Sequence, residues 1–290
     1  MTEWSPGPAW LFCPADRPDR YPKALDRADI VILDLEDAVS ASRKADARQS
    51  LQRLVDDGSL QMESTIVRLN SLRTHDGAAD MRLVERLGIK RVMLAKAESA
   101  EEVERIPAMV IALIETAKGV VAAEAIAGAT NVVAMMWGAE DLIADLGGTA
   151  SRHGDGAYRD VAMHTRARVL LAAKAGGVRA VDAVHLDIGD LEGLRKECED
   201  AIAVGFDATA AIHPSQVEVI RRSYLPDAQA IAWARRLLHH AGRDRAVTTF
   251  EGAMVDGPVY QQAERILRLS GDPSRLGDDS SPSERAQRPG

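Results

Sequence analysis

At 290 residues, with 46% hydrophobic content and few aromatics, the chain can bury a substantial aliphatic core and matches the length of one large α/β domain. Its net charge is −8, and no basic cluster interleaved with aromatics occurs, which excludes a nucleic-acid partner; no apolar stretch approaches the roughly 20 residues that span a bilayer. Cys13 and Cys198 are too few for a disulfide framework and read as buried thiols in a reducing compartment; with no basic and then apolar leader at the start, a soluble cytoplasmic protein is expected.

Eight short apolar runs follow in chain order: WLFCPAD (10–16), IVILDLED (30–37), TIVRLN (65–70), RVMLAK (91–96), VIALIE (110–115), VVAMMWGAED (132–141), AVDAVHLD (180–187) and ATAAIHP (208–214). Apolar on nearly every residue, they suit strands covered on both faces, as in a parallel sheet. Helical patterns such as YPKALDRA, DMRLVERLG and LEGLRKECEDAIAVG lie between them. This alternation predicts an α/β fold, a (β/α)8 TIM barrel over residues 1–223, with its active site at the C-terminal ends of the strands. Asp34, Glu36, Asp37, Arg68, Asn70, Lys96, Glu115, Glu140, Asp141 and Asp187 fall at those ends.

The longest gap between strands holds LIADLGG, a loop SRHGDGA with Arg152 and His153 near the rim, and a helix through YRDVAMHTRARVLLAAKAGG that stops at Gly176-Gly177. Beyond the barrel, residues 215–223 and 227–241 read as helices broken near Pro226. A hairpin-like or irregular segment and a last helix from about 258 complete a C-terminal lid extension over 224–271. Residues 272–290 hold almost no apolar side chain and are expected to be disordered.

Glu115 and Asp141 are placed at the ends of the fifth and sixth strands, and neighbouring strands lie about 4.8 Å apart. Two such carboxylates can share a hard divalent cation and leave its other positions to water and substrate, the usual way of holding Mg²⁺. The alternative is that Asp141 caps the LIADLGG helix and Glu115 makes a rim salt bridge. Arg68, closing the third strand, either grips a substrate carboxylate bidentately or pairs with Asp34 or Glu36. Asp34 and Glu36 share one face of a strand; they bind metal-held waters, orient Arg68, or cap the next helix. Lys96 joins this network or is a plain surface lysine. His213 reads as a packed, hydrogen-bonded residue. There is no Ser/His/Asp constellation, strand-following GxGxxG, P-loop or zinc-type Cys/His spacing.

The chain resembles the citrate lyase β-subunit-like proteins, which include malyl-CoA and citramalyl-CoA lyases of the wider HpcH/HpaI aldolase group. The matching segments are LFCPADRPDRYPKAL, VILDLEDAV, IVRLN, VMLAKAES, ALIETAKGV, WGAEDLIADLGG, DLEGLRKECEDAIAVGFD, AIHPSQV and MVDGPVYQQA, in family order from about residue 10 to 270. The resemblance implies a TIM barrel that binds Mg²⁺ through Glu115 and Asp141, with Arg68 on the substrate carboxylate and Asp34, Glu36 and Asp37 in support. It implies that Asp256, on a C-terminal segment that swings over a neighbouring subunit's barrel, serves as acid/base in trimers or hexamers. The implied reaction is cleavage of a short 3-hydroxy-carboxyacyl-CoA to acetyl-CoA and a 2-oxo acid. A citryl thioester on a carrier protein, or thioester hydrolysis and malate-synthase-like condensation, are alternatives within the same chemistry. Arg17, Arg20 and Lys23 are candidates for the CoA phosphates, or form a solvated basic loop. The sequence departs from the family at Ala15 (commonly Gly), Ala95 (commonly Pro) and Ala208-Thr209 (commonly Gly-Lys); the last bears on thioester binding.

Overall fold

The computed structural model describes residues 4, 6–241 and 246–271. In it the apolar runs form eight parallel strands closed into one barrel, the eighth bonded back to the first. These are β1 (Ala9–Pro14), β2 (Ile30–Asp34), β3 (Thr65–Leu69), β4 (Arg91–Leu94), β5 (Met109–Ile114), β6 (Val132–Trp137), β7 (Arg179–Asp182) and β8 (Ala208–Ala211). Around them run α1 (Tyr21–Leu25), α2 (Lys44–Asp56), α3 (His75–Leu87), α4 (Ala100–Glu104), α5 (Ala117–Val121), α6 (Ala123–Ala127), α7 (Ala139–Asp145), α8 (Asp160–Ala175), α9 (Leu191–Val204) and α10 (Pro214–Tyr224). The (β/α)8 barrel expected from the alternation is the observed fold.

Both faces of each strand are buried, which is why the runs show no polar alternation. In β2, Ile30 and Ile32 point into the barrel while Val31 and Leu33 meet the helices. The interior is filled by Trp10, Ile66, Met93, Ile111, Leu113 and Met136. Trp10 stands in register with Ala210 of β8, so a large side chain is set against a small one and the interior closes without a pore. Burying each aliphatic side chain of this kind contributes about 1.5–3 kcal/mol.

Every strand ends before its apolar run does, and this corrects several placements. β2 ends at Asp34, so Glu36 and Asp37 leave the strand. The cause is local: the Asp34 carboxylate accepts the backbone N–H groups of Glu36 at 2.8 Å and Ala38 at 3.0 Å, an Asx-type turn that bends the chain out of the sheet. Glu115 lies one residue beyond β5. Asp141 is not on a strand at all. Gly138 ends the extended backbone (φ −129°, ψ 127°), and Asp141 sits in the first turn of α7, where the positive end of the helix favours acidic side chains.

The chain divides into two compact units, Met1–Tyr224 and Leu225–Gly290. The first is the barrel with its helices. The second contains α11 (Ala228–Ala241), a hairpin of β9 (Thr248–Phe250) and β10 (Ala253–Val255), and α12 (Gly257–Leu269). Its own apolar core includes Leu237, Leu238, Val255, Tyr260, Ala263 and Leu267. Glu251 and Gly252, at φ 50° and 82°, make the two-residue turn whose twist matches a hairpin. Residues 272–290, expected to be disordered, lie outside the described residues. Among the described residues no helix is long and apolar enough to cross a membrane.

Candidate active site

A cavity of about 230 Å³ opens at the C-terminal mouth of the barrel. Its polar lining is Asp34, Asp37, Arg68, Glu115, Glu140 and Asp141; Phe12, Leu113, Met136, Trp137 and Val184 supply apolar wall. That volume suits a small organic acid or the acyl end of a larger ligand, not a whole nucleotide.

Arg68 and Asp34 are neighbours across the β2–β3 register. Asp34 takes the guanidinium bidentately, accepting from Nε at 2.7 Å and Nη2 at 2.6 Å. Glu36 approaches Nη1 at 3.3 Å, and Phe12 lies beneath the guanidinium, 4.8 Å from ring centroid to carbon. The ion pair with Asp34 and Glu36 is therefore present. An arginine has five N–H donors, and Asp34 uses only two, so Arg68 still has donors at the cavity it lines. Burial works against its charge, but Asp34 and the other carboxylates hold the guanidinium above arginine's ordinary pKa.

Glu115 is buried at 3% exposure. Its Oε1 accepts the backbone N–H of Lys96 at 3.0 Å, and its side chain packs against the bare Cα of Gly138. Burial, together with the Asp141 carboxylate, pushes the Glu115 carboxyl up to about 8 despite the opposing pull of Lys96 and Arg68. Lys96 follows β4 and is not a plain surface lysine. Its Nζ reaches Glu36 Oε1 at 2.6 Å, Asp141 Oδ1 at 3.0 Å, Asp37 Oδ2 at 3.2 Å and Glu115 Oε1 at 3.9 Å. Partial burial opposes that charge, yet Glu36, Glu115 and Asp141 hold the ammonium above lysine's ordinary range. Burial likewise raises Glu36 despite Arg68 and Lys96.

Among the described residues no group of three or more His, Cys, Asp and Glu side chains is arranged to hold a metal ion. Mg²⁺ does not require one, since it is commonly held by one or two carboxylates and keeps several waters. The donors here are hard oxygens, and one cation, the Lys96 ammonium, already lies within reach of both Glu115 and Asp141. The pair therefore fits such an ion.

Other anticipated residues lie apart. Arg17, Arg20 and Lys23 are exposed around Pro18–Arg20 and α1 and do not line the cavity. Asp256 belongs to the second unit, immediately before α12, and its side chain does not cap that helix. Asn70 bonds Leu35, Lys44 and Asp80 behind the mouth. Asp187 is exposed and closes its own turn onto Gly189. His213 is exposed rather than packed, although Nδ1 does bond Ser215 Oγ at 2.8 Å. Arg152 lines a different cavity, beside Tyr158 and Glu197. Thr209, in place of the family lysine, is buried on the outer face of β8, with its hydroxyl 2.9 Å from that of Tyr224. Of the two departures at 208–209, Ala208 thus packs inside the barrel and Thr209 in the helix layer, and neither lines the mouth cavity. Sequence reasoning missed Phe12, Trp137 and Gly138. Trp137 is fixed by its indole N–H bond to Asp182 at 2.6 Å, and Asp182 in turn is held by Arg166.

Residues 9–214 match the HpcH/HpaI aldolase/citrate lyase family. The chain belongs to that family. It is 54% identical over 267 residues, covering 92% of this chain and 96% of the relative, to a citrate lyase subunit beta-like protein of Mycobacterium tuberculosis. A crystal structure of the CitE protein of Mycobacterium tuberculosis, in complex with magnesium, acetoacetate and coenzyme A, superposes with a TM-score of 0.88 at 53% identity, covering 93% of this chain and 100% of that one. The mitochondrial citramalyl-CoA lyase of Rattus norvegicus is 28% identical over 299 residues, covering 92% of this chain and 87% of the relative. The names of these relatives carry the lyase class that the sequence motifs implied, and the Mycobacterium tuberculosis structure shares the barrel.

Proposed function

We propose that this chain is a Mg²⁺-dependent carbon–carbon lyase that cleaves a short 3-hydroxy-carboxyacyl-CoA, such as malyl-CoA or citramalyl-CoA, to acetyl-CoA and a 2-oxo acid. The observation that carries the reading is the meeting of Glu115, Asp141 and the fixed Arg68 around one small cavity at the barrel mouth. The magnesium and coenzyme A of the Mycobacterium tuberculosis structure support it.

Glu115 and Asp141 would hold the ion, whose positive charge lowers the pKa of the substrate hydroxyl and stabilises the oxygen of the emerging 2-oxo acid. Arg68 binds the substrate carboxylate with donors that Asp34 leaves free, and the bidentate clamp keeps it oriented before substrate arrives. Asp34, Glu36 and Asp37 hold Arg68 and Lys96 in position. The Leu113, Met136 and Trp137 wall keeps water from the reacting carbons. Breaking the C–C bond, with the hydroxyl proton released to solvent water, leaves an enolate of the acetyl thioester. Asp256, on the C-terminal extension of a neighbouring subunit, would deliver the proton to that carbon, and in condensation would remove the thioester α-proton. Arg17, Arg20 and Lys23 are the candidates for the CoA phosphates, and the working assembly is a trimer or hexamer.

The test is incubation with Mg²⁺, acetyl-CoA and a panel of 2-oxo acids, read by mass. A new 3-hydroxyacyl-CoA from glyoxylate or pyruvate, reversed when the product is supplied alone, is expected. Free CoA thiol accumulating in its place would make the chain a hydrolase or synthase, and turnover only with a carrier-protein thioester would make it a citrate lyase β subunit.

A further inference from the structure

Lys96 is held in a backbone conformation that its residue type avoids. Its φ of 54° lies in the left-handed region, where a Cβ is disfavoured unless the surroundings impose it. Two bonds impose it here. The Lys96 N–H donates to Glu115 Oε1 at 3.0 Å, and Arg73 Nη2 donates to the Lys96 carbonyl at 3.1 Å. The outcome is that one ammonium meets four carboxylates, Glu36 at 2.6 Å, Asp141 at 3.0 Å, Asp37 at 3.2 Å and Glu115 at 3.9 Å. For Asp141 this is the one ion pair among the described residues.

We propose that Lys96 is a resident counter-ion that competes with the divalent cation: it holds Asp141 and Glu115 while the ion is absent, and gives up Asp141 when the ion binds, remaining on Glu36 and Asp37. This rests on the metal reading given above. The physical ground is that an ammonium 3.0 Å from Asp141 Oδ1 and a divalent cation on the same carboxylate repel each other, so metal binding works against the Lys96–Asp141 contact. Glu36 and Asp37 give the displaced ammonium partners that the proposed metal does not need. Lys96 therefore sets how weakly the site takes Mg²⁺, while keeping four acids together without it.

Mg²⁺ titrations by calorimetry and by thermal unfolding test the idea on the wild-type chain, Lys96→Gln and Lys96→Arg. Loss of the competing charge should tighten Mg²⁺ binding by about tenfold or more in Lys96→Gln, while Lys96→Arg, which keeps the charge, stays near the wild type. A natively folded Lys96→Gln that binds Mg²⁺ no more tightly than the wild type overturns the proposal. The unmutated protein offers a second readout: acetylation of Lys96, followed by peptide mass, should run faster in saturating Mg²⁺ than in EDTA, and an unchanged rate overturns it equally. A wild-type chain that ignores Mg²⁺, or a Glu115→Ala variant that binds it as well as the wild type, refutes the metal reading instead.

Discussion

Gly138→Ala probes the proposed metal pair without touching a charge. Gly138 has φ −129° and ψ 127°, an ordinary extended conformation, so an alanine brings no backbone strain. The added Cβ would lie 2.7 Å from Glu115 Oε2 and 3.0 Å from Glu115 Cβ, where ordinary contact begins near 3.4 Å; the carboxylate must therefore give by about 0.7 Å (3.4 less 2.7). Glu115 is buried and tied through Oε1 to the Lys96 N–H, so it cannot swing out to solvent. Overpacking of this kind costs about 1–3 kcal/mol of stability. Displacing a reacting constellation by close to 1 Å costs on the order of a hundredfold in rate. Thermal unfolding with and without Mg²⁺, together with lyase turnover, would read both effects. We expect a folded variant with a modestly lowered Tm, Mg²⁺ binding weakened roughly ten- to hundredfold, and turnover reduced at least as much. Wild-type Mg²⁺ affinity in a folded Gly138→Ala would refute the reasoning, since the carboxylate oriented against Gly138 would then not be a metal donor.

Asp256→Asn should leave Mg²⁺ stabilisation at the wild-type level while turnover falls by orders of magnitude; undiminished turnover would remove Asp256 from the mechanism. Asp34→Ala strands the buried Arg68 guanidinium and breaks the turn to Glu36 and Ala38, so denaturant unfolding should show a loss of about 3–5 kcal/mol; a loss below about 1 kcal/mol would contradict the pairing. In metal-free protein the Glu115 carboxyl stays protonated to about 8, against an ordinary 4.5. Its folded pKa is raised, so its contribution to stability is complete below about 4.5 and is lost as pH rises through about 8. Mg²⁺ must displace that proton, and its affinity should climb by up to about tenfold per pH unit below 8 and then level off; calorimetric affinity that is flat between about pH 6 and 8 would contradict this.

The barrel was legible because a strand buried on both faces leaves an uninterrupted apolar run, and eight such runs alternate with amphipathic segments. The polar residues at the run ends were legible for the same reason: a strand stops burying side chains where it reaches the mouth. Where each strand stopped was not. Asp34 ends β2 early by accepting two N–H groups from the residues after it, a local bond with the same sequence signature as a continuing strand. Asp141 occupies a helix turn because Gly138 ends the strand. The left-handed Lys96 has no sequence signal, since lysine seldom adopts that backbone; it depends on Glu115 and Arg73, both distant in sequence. The place of Thr209 in the fold was recoverable from the sequence. Side chains alternate along β8, and with Ala208 and Ala210 inside the barrel, residue 209 must face the helices. Trp137, Asp182 and Arg166 form a buried polar chain across α8, β6 and β7, a pairing that follows from barrel closure and not from local pattern.

Mn²⁺ binding followed by electron paramagnetic resonance, on the wild-type chain and on Glu115→Gln and Asp141→Asn, tests the central claim most directly. One bound ion per barrel is expected in the wild type, and its loss, by a hundredfold or more in affinity (about 2.7 kcal/mol), in each folded variant. An ion retained at wild-type strength after either substitution would mean that these two carboxylates do not hold the metal together.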